Sequence, residues 1–250
     1  MLILGTGMCI CTAALESGTE ESLASSSEQA SVGRSLSLQT TSKKESEKEM
    51  QKNPHILINP EKVDASALAG FDLLEIESKH RQFSRPEINA IIAFVETGKS
   101  LMVVIDEEKR TPLLENGTNS ILERFGLRFT DDTNYLHNCG ALAKKGKINS
   151  EDREIPYSGG RAVEGGTAFA WRLDASGNCA EPFASYVETP QGGRVIALSE
   201  AMAYIGMGTA HGERLTGIDR DPKRTTYWGK DTKVFMEELR SWLIQGTNQE

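Results

Sequence analysis

The segment Phe71–Ile105 constrains the fold of this chain most, because it reads as strand, helix and strand in immediate succession. The helix begins at a capping box, Ser84-Arg85-Pro86-Glu87, in which the serine and glutamate satisfy each other's backbone N–H groups. Apolar residues recur at i, i+3, i+4 and i+7 over Ile88–Val95, and Gly98 ends the helix. The run Leu101–Ile105 is continuously apolar, which indicates a strand buried on both faces. This succession predicts a right-handed βαβ unit and therefore a parallel sheet.

Further elements are predicted from the spacing of apolar residues and from the glycines that end helices and form turns. A short helix over Asn119–Phe125 is expected to have Thr118 as its cap and Gly126 as its stop. The other predicted elements are strands at His55–Ile58, Leu127–Thr130, Thr167–Leu173, Ala184–Thr189 and Arg194–Ser199, a turn at Gln191–Gly193, and a closing helix over Asp231–Gln245. The stretch 131–168 is rich in Gly, Asn, Lys and Asp and is expected to form long loops or an excursion from the sheet. The prediction is an α/β fold with a three-layer, mostly parallel, flavodoxin-like sheet and helices on both faces.

Residues 16–53 differ from the rest of the chain. Aromatic residues make up 6% of the sequence, yet the first of them is Phe71. Ser, Glu, Lys, Thr and Gln dominate 16–53, which cannot bury enough apolar area to offset a chain entropy of about 1–2 kcal/mol per residue. We predict a disordered linker at 16–53 and a folded domain at 54–246.

Residues 1–15 form a possible signal peptide or anchor. The apolar run Leu2–Cys11 has the length of a signal-peptide core, and small residues follow it, but no basic residue precedes it. Lipidation of Cys9 or Cys11 is poorly supported by the residues before them. Export to a periplasm or cell envelope is the expectation. The alternatives are a cytoplasmic chain with a frayed start, or Leu2–Gly7 as a first strand with a Gly-x-Gly turn.

The net charge, the apolar runs and the cysteine spacing indicate which partners and cofactors are not expected for this chain. The formal net charge of −8 offers no basic surface for a phosphate backbone, so nucleic acid is not an expected partner. No apolar run is long enough for a transmembrane helix. No Cys/His spacing is typical of zinc, and no cofactor or metal is expected. Cys139 and Cys179 could pair only if the fold brings them together.

Ligands of open α/β sheets bind beyond the carboxyl ends of the strands, so polar residues directly after strands are the first candidates for a site. Late aromatic residues that could stack on a sugar, and one helix residue, are added to them. The candidate ligand-binding residues are Ser78, Lys79, His80, Asp106, Glu107, Asn119, Ser199, Glu200, Tyr227 and Trp228. Solvated loops and core aromatics are the alternative interpretation of the same residues.

The order of four segments resembles that of type 1 glutamine amidotransferase-like domains. The segments are FDLLEIESKHRQFSRPEINAIIAFVETGKSLMVVIDEE, TNSILERFGLRFTDD, GGRVIALSE and YWGKDTKVFMEELRSWL. More narrowly it resembles their GIFT branch, found in intraflagellar transport proteins and in accessory proteins of bacterial gliding-motility transporters. The resemblance covers roughly 54–245. Active amidotransferases place a cysteine on a Gly-x-Cys-x-Gly elbow after the strand that corresponds to Leu101–Ile105. Asp106 and its neighbours stand there without cysteine or glycine, and Ser199-Glu200 replaces a late His-x-Glu pair, so the resemblance implies no glutaminase activity.

The resemblance implies a non-catalytic ligand-binding or interaction module, with a carbohydrate or a protein in an envelope or transport assembly as partner. The alternative is a metal- or carboxylate-dependent hydrolase that uses Asp106, Glu107 and His80.

Overall fold

The computed structural model describes residues 53–77, 81–132, 140–155, 157, 160–174, 176–204 and 230–245. Ten strands lie in these ranges. They are β1 (Ile56–Ile58), β2 (Leu73–Glu77), β3 (Ser100–Val104), β4 (Arg128–Asp132), β5 (Ala141–Ala143), β6 (Arg153–Ile155), β7 (Arg161–Glu164), β8 (Thr167–Leu173), β9 (Cys179–Glu188) and β10 (Arg194–Leu198). The helices of the same ranges are α1 (Ala65–Leu68), α2 (Arg85–Glu96), α3 (Thr118–Leu122) with a 3-10 turn (Glu123–Phe125), α4 (Ala201–Tyr204) and α5 (Thr232–Gln245).

Eight of these strands form one sheet in the order β1-β2-β3-β10-β9-β8-β5-β6, and β4 pairs with β7 in a separate ribbon. The first four strands of the sheet, β1, β2, β3 and β10, are parallel to one another. The pairs from β10 to β6 are all antiparallel. The predicted α/β class is confirmed, whereas the mostly parallel, flavodoxin-like arrangement is not.

The antiparallel half begins at the tight turn between β9 and β10. Thr189 N donates to Gly193 O over 2.7 Å, and Gly192 N donates to Thr189 O over 3.0 Å. Gly192 has a φ of 86°, and a Cβ on Gly193 would lie 2.1 Å from Val95 O at the end of α2. A turn this short can join only antiparallel neighbours, since a parallel pair needs a long crossover. The predicted Gln191–Gly193 turn therefore already implied an antiparallel strand.

The stretch 131–168 is more regular than the sequence predicts. It contains β5 and β6, which extend the main sheet, and β7, which pairs with β4. Of the two alternatives, long loops are wrong, because β5, β6 and β7 have three or four residues each, too few for an apolar period to show. The excursion from the sheet applies to β7, which pairs with β4 outside the main sheet.

The capping box at α2 is confirmed. The carboxylate of Glu87 accepts from Ser84 N over 3.0 Å and from the Ser84 hydroxyl over 2.8 Å. At α3 the N-cap is Gly117, one residue before the expected Thr118. Thr118 is the first helical residue, and the side chain of Asn116 accepts from Thr118 N over 3.3 Å. Gly126 stops the following turn at a φ of 72°, as predicted.

The parallel strands are buried on both faces, and alternate residues enter two separate cores. Met102 and Val104 of β3 join the core that includes Phe235, Leu239 and other residues of α5. Leu101 and Val103 join a second core, which contains residues of α2, α3 and the β4–β7 ribbon. Helices therefore cover both faces of the sheet in this half.

A buried ion pair attaches α5 to the sheet. Glu75 of β2 is fully buried, and its carboxylate accepts from Arg240 Nε over 2.7 Å and Nη2 over 3.1 Å. The hydroxyl of Tyr204, in α4, donates to the same carboxylate over 3.0 Å. Burial and the Glu75 charge raise the pKa of Tyr204 well above its usual value. Two helices thus share one acceptor in the middle of a strand.

A second carboxylate holds α5 to the turn before β6. Glu238 accepts from Arg153 Nε over 3.0 Å, from Ser150 N over 3.1 Å and from Asn149 Nδ2 over 3.1 Å. Burial opposes the charged form, but these donors outweigh it and lower the pKa of Glu238 from 4.5 to about 2.

We predict strong coupling between Glu75 and Arg240. Glu75→Leu leaves the guanidinium of Arg240, whose side chain is 20% exposed, without its carboxylate, which lowers the free energy of unfolding by up to about 3 kcal/mol. Adding Arg240→Leu removes both charges, so the double variant is more stable than the sum of the two single changes predicts. Urea unfolding of the four proteins measures the coupling. Additive losses would contradict the buried pair.

We predict that Glu238 makes stability depend on pH in the acid range. Its pKa is lower in the folded chain, so its contribution of about 1–2 kcal/mol is complete above pH 4.5. The contribution is lost as the pH falls from 4.5 towards 2. Glu238→Gln removes this contribution. In urea unfolding from pH 3 to 7, the difference between the unfolding free energies of wild type and variant therefore decreases as the pH falls. Glu237→Gln, at an exposed neighbour, is the control, and a difference independent of pH would refute the assignment.

Candidate functional site

The carboxyl ends of β3 and β10 lie side by side, because Val104 pairs with Leu198 in parallel register. The loops that follow these strands therefore meet at one edge of the sheet. Asp106 and Glu107 come from the first loop, and Ser199 and Glu200 from the second. This juxtaposition of four predicted site residues is what the strand-end rule anticipates.

The two acidic residues after β3 share one arginine. Arg110 Nη1 lies 3.2 Å from Asp106 Oδ2, and Arg110 Nε lies 3.2 Å from Glu107 Oε1. Burial lowers the pKa of Arg110, but the charges of Asp106, Glu107 and Glu200 outweigh it, and the net effect raises that pKa. The acidic cluster is therefore an internal ion-pair network with its own cation.

Arg161 is the main site residue that the strand-end rule misses. Its side chain is fully buried and forms an ion pair with Glu108, which lowers the pKa of that carboxyl. Its guanidinium also donates to Thr130 O over 3.1 Å and to Thr111 O over 3.2 Å. Arg161 begins β7, inside the stretch expected to be loop, so no sequence signal pointed to it.

Side chains of the loop after β3 bond its own backbone. Thr111 Oγ1 accepts from Asp106 N over 3.2 Å, and Glu108 Oε2 accepts from Leu113 N over 3.1 Å. The buried Asn116 donates to Pro112 O over 3.0 Å. We call residues 105–117 the edge loop. The sequence Asn116-Gly117-Thr118 fits a glycosylation sequon, but Asn116 is only 4% exposed and its side chain bonds the loop backbone, so its role here is structural.

Ser199 and Glu200 have structural partners. Ser199 is fully buried, and its hydroxyl donates to Arg161 O and, over 3.2 Å, to Phe183 O. Glu200 is also fully buried, and its carboxylate accepts from Met202 N over 2.9 Å at the start of α4. Both side chains fix the backbone at the carboxyl end of β10.

Asn119 has a structural role of the same kind. Its amide group donates to Phe129 O over 2.9 Å and accepts from Phe129 N over 2.8 Å. These paired bonds fasten α3 to β4. The structure therefore places Asn119 as a backbone clamp.

The remaining predicted site residues are Ser78, Lys79, His80, Tyr227 and Trp228, and they lie outside the described residues. Cys139 lies outside them as well, so its pairing with the exposed thiol of Cys179 stays a prediction. Among the described residues no three His, Cys, Asp or Glu side chains gather in a way that could hold a metal ion. No helix of the described part is long and apolar enough to cross a membrane.

The described residues form a mixed α/β domain with a parallel and an antiparallel half. The chain belongs to the IFT52 GIFT domain family, whose model matches residues 31–170. No curated protein matches the chain.

Among solved structures, the N-terminal domain of mmIFT52 is similar in fold. It has a TM-score of 0.51 at 16% identity, over 63% of this chain and 78% of that one. A β-galactosidase from Rahnella sp. R3 aligns with a TM-score of 0.40 at 18% identity, over 53% of this chain and 21% of the enzyme. The α-L-fucosidase isoenzyme 2 of Paenibacillus thiaminolyticus aligns with a TM-score of 0.42 at 14% identity, over 72% and 26%. The TM-scores of the two glycosidases are too low to indicate a shared fold.

Family membership corrects the prediction of export. It points to a protein of the intraflagellar transport type, in cytoplasm or cilium, instead of a periplasmic or envelope protein. The prediction of a signal peptide was based on the length and apolarity of the run Leu2–Cys11. Length and apolarity alone were insufficient evidence.

We predict opposite effects for two buried serines. Ser199→Ala removes a hydroxyl that donates to two carbonyls, which lowers the free energy of unfolding by about 1–2 kcal/mol. The Ser185 hydroxyl is buried without a hydrogen-bond partner, so Ser185→Ala is neutral or stabilising by up to about 1 kcal/mol. Urea unfolding distinguishes the two, and equal losses would contradict the assigned bonds.

Proposed function

We propose that this chain is a non-catalytic protein-interaction module of an intraflagellar transport-type assembly, on a degenerate amidotransferase-like frame. The observation that carries the proposal is that polar side chains at the carboxyl edge bond to other groups of the same chain. Asp106, Glu107, Glu108 and Ser199 all bond to the chain's own groups. Such bonds hold a surface in one shape.

A catalytic nucleophile would need a different local structure at this edge. An elbow nucleophile stands on a sharp turn between small residues, with a base within hydrogen-bond reach. Ile105 instead continues the strand, donating to Leu198 O over 3.0 Å, and Asp106 turns into an ion pair with Arg110. This arrangement argues against the hydrolase that would use Asp106 and Glu107.

Leu114 supports an interaction role for the edge loop. It is 92% exposed, the most exposed of the large apolar side chains in the described part of the chain. Its own carbonyl accepts from Gln82 Nε2 over 2.9 Å, and the next turn is closed by Glu115 N donating to Pro112 O. A side chain presented from an ordered backbone loses little entropy on binding. Burying a leucine contributes about 1.5–3 kcal/mol.

Carbohydrate binding has weaker support than protein binding. The aromatic residues proposed to stack on a sugar, Tyr227 and Trp228, lie outside the described residues. Tyr204 is buried, and its hydroxyl is engaged by Glu75. A sugar would therefore need a surface other than the described edge.

We predict that Leu114→Asp weakens partner binding without weakening the fold. The tagged full chain is expressed in a ciliated cell, and intraflagellar transport proteins that co-purify with it are quantified by mass spectrometry. Leu114→Asp reduces their recovery about tenfold or more, as the loss of about 1.5–3 kcal/mol requires. Its melting temperature stays that of wild type because the side chain is solvated.

Val234→Asp is the matched control, since Val234 is the other exposed large apolar residue of the described chain, at 40% exposure on α5. It retains wild-type recovery. Absence of intraflagellar transport proteins from the wild-type sample would refute the proposed function. Equal recovery with Leu114→Asp would remove the edge loop from the interface.

A further inference from the structure

The outer edge of the sheet at β6 presents very few backbone groups. β6 has three residues and pairs antiparallel with β5, with Glu154 opposite Leu142. Backbone groups along an antiparallel strand point alternately towards and away from the neighbour. Those of Glu154 point away from β5, since they bond to a residue outside the sheet. Glu154 is therefore the residue of β6 whose N–H and C=O could receive a further strand.

Asp231 occupies both of these groups. Its side chain accepts from Glu154 N through Oδ2 over 2.9 Å, and its own N–H donates to Glu154 O over 3.3 Å. A residue that accepts from and donates to one edge residue makes the two bonds that an added antiparallel strand would make. The neighbouring Lys230 adds an ion pair to the Glu154 side chain at 3.2 Å.

Asp231 also marks the start of α5. Its carbonyl accepts from Phe235 N over 2.9 Å in the first turn of the helix. One turn further on, Glu238 binds Arg153, the residue before Glu154. The position of Asp231 at the edge is therefore fixed by the packing of α5, and edge closure is coupled to the docking of that helix.

We propose that Asp231 is a built-in edge latch, a self-contact that prevents a second copy of this chain from adding a strand at β6. An open sheet edge is a template for pairing with another chain, and a self-contact on its backbone groups removes that template. The latch is a property of the fold and does not depend on the proposed function.

The side chain of Glu154 is a second safeguard. If two copies paired antiparallel about Glu154, the two carboxylates would face each other across the new strand pair. Like charges placed directly opposite destabilise a sheet. A test of the latch by self-association therefore needs this charge removed as well.

Amide hydrogen exchange of Glu154, followed by NMR in the full chain, tests the latch directly. Asp231→Ala removes the acceptor and speeds exchange of this amide roughly tenfold or more. Asp231→Asn keeps an oxygen acceptor and stays close to wild type. Asp152→Ala is the control, because Asp152 bonds Lys144 and Lys145 in the neighbouring turn.

The amide of Ile196, in the buried β10, serves as an internal reference. Faster exchange at Glu154 with unchanged exchange at Ile196 supports the latch. Unchanged exchange at Glu154 in Asp231→Ala overturns it, and so does an equal rise at both amides, which would indicate general destabilisation.

Sedimentation measures the consequence. The Glu154→Thr variant keeps the wild-type mass, whereas Asp231→Ala combined with Glu154→Thr gains mass as its concentration rises. A double variant whose mass matches Glu154→Thr at every concentration would show that Asp231 does not guard the edge.

Discussion

The carboxyl edge of this domain depends on one buried cation. A guanidinium that is wholly removed from water is tolerated only where acceptors surround it. The terminal nitrogens of Arg161 have such acceptors in the Glu108 carboxylate and in two main-chain carbonyls, those of Thr111 and Thr130, while its Nε is buried without a hydrogen-bond partner. Because these acceptors belong to the edge loop and to β4, Arg161 connects the β4–β7 ribbon to the loop after β3.

The sheet itself combines two modes of construction. In the parallel half, β2, β3 and β10 are buried on both faces, and the helices cover them. In the antiparallel half, hairpins extend the sheet outward to β6. Helix α5 joins these halves through two carboxylates, Glu75 in the middle of β2 and its own Glu238 at the turn before β6. Its attachment therefore stabilises β2, near one edge of the sheet, and β6, at the other edge, together.

Local rules predicted the parts of the fold that local chemistry determines. The capping box at Ser84, the stop at Gly126 and the closing helix to Gln245 all stand within a residue or two of their expected places. The prediction of a mostly parallel sheet was wrong, because the direction expected from the βαβ unit was assumed also for strands that are joined by a hairpin. The short strands β5, β6 and β7 were not predicted, because they show no apolar period of their own and are held in place by their pairing partners.

The strand-end rule indicates which residues lie at the carboxyl edge, but it does not indicate their side-chain partners. Asp106 and Ser199 lie at one edge because β3 and β10 are parallel neighbours, and their role in ligand binding stays a prediction. Whether a carboxylate faces a ligand or an arginine depends on Arg110 and Arg161, one exposed on the loop and one buried on a short strand. A single sequence does not reveal such pairings.

Hydrogen exchange of the full chain, free and within the assembly that co-purifies with it, tests whether this edge serves as an ordered binding surface. We expect binding to slow exchange within the edge loop, residues 105–117, and the amides there to be partly protected already in the free chain. Protection confined to other surfaces, with the edge loop exchanging as in the free chain, would contradict this expectation.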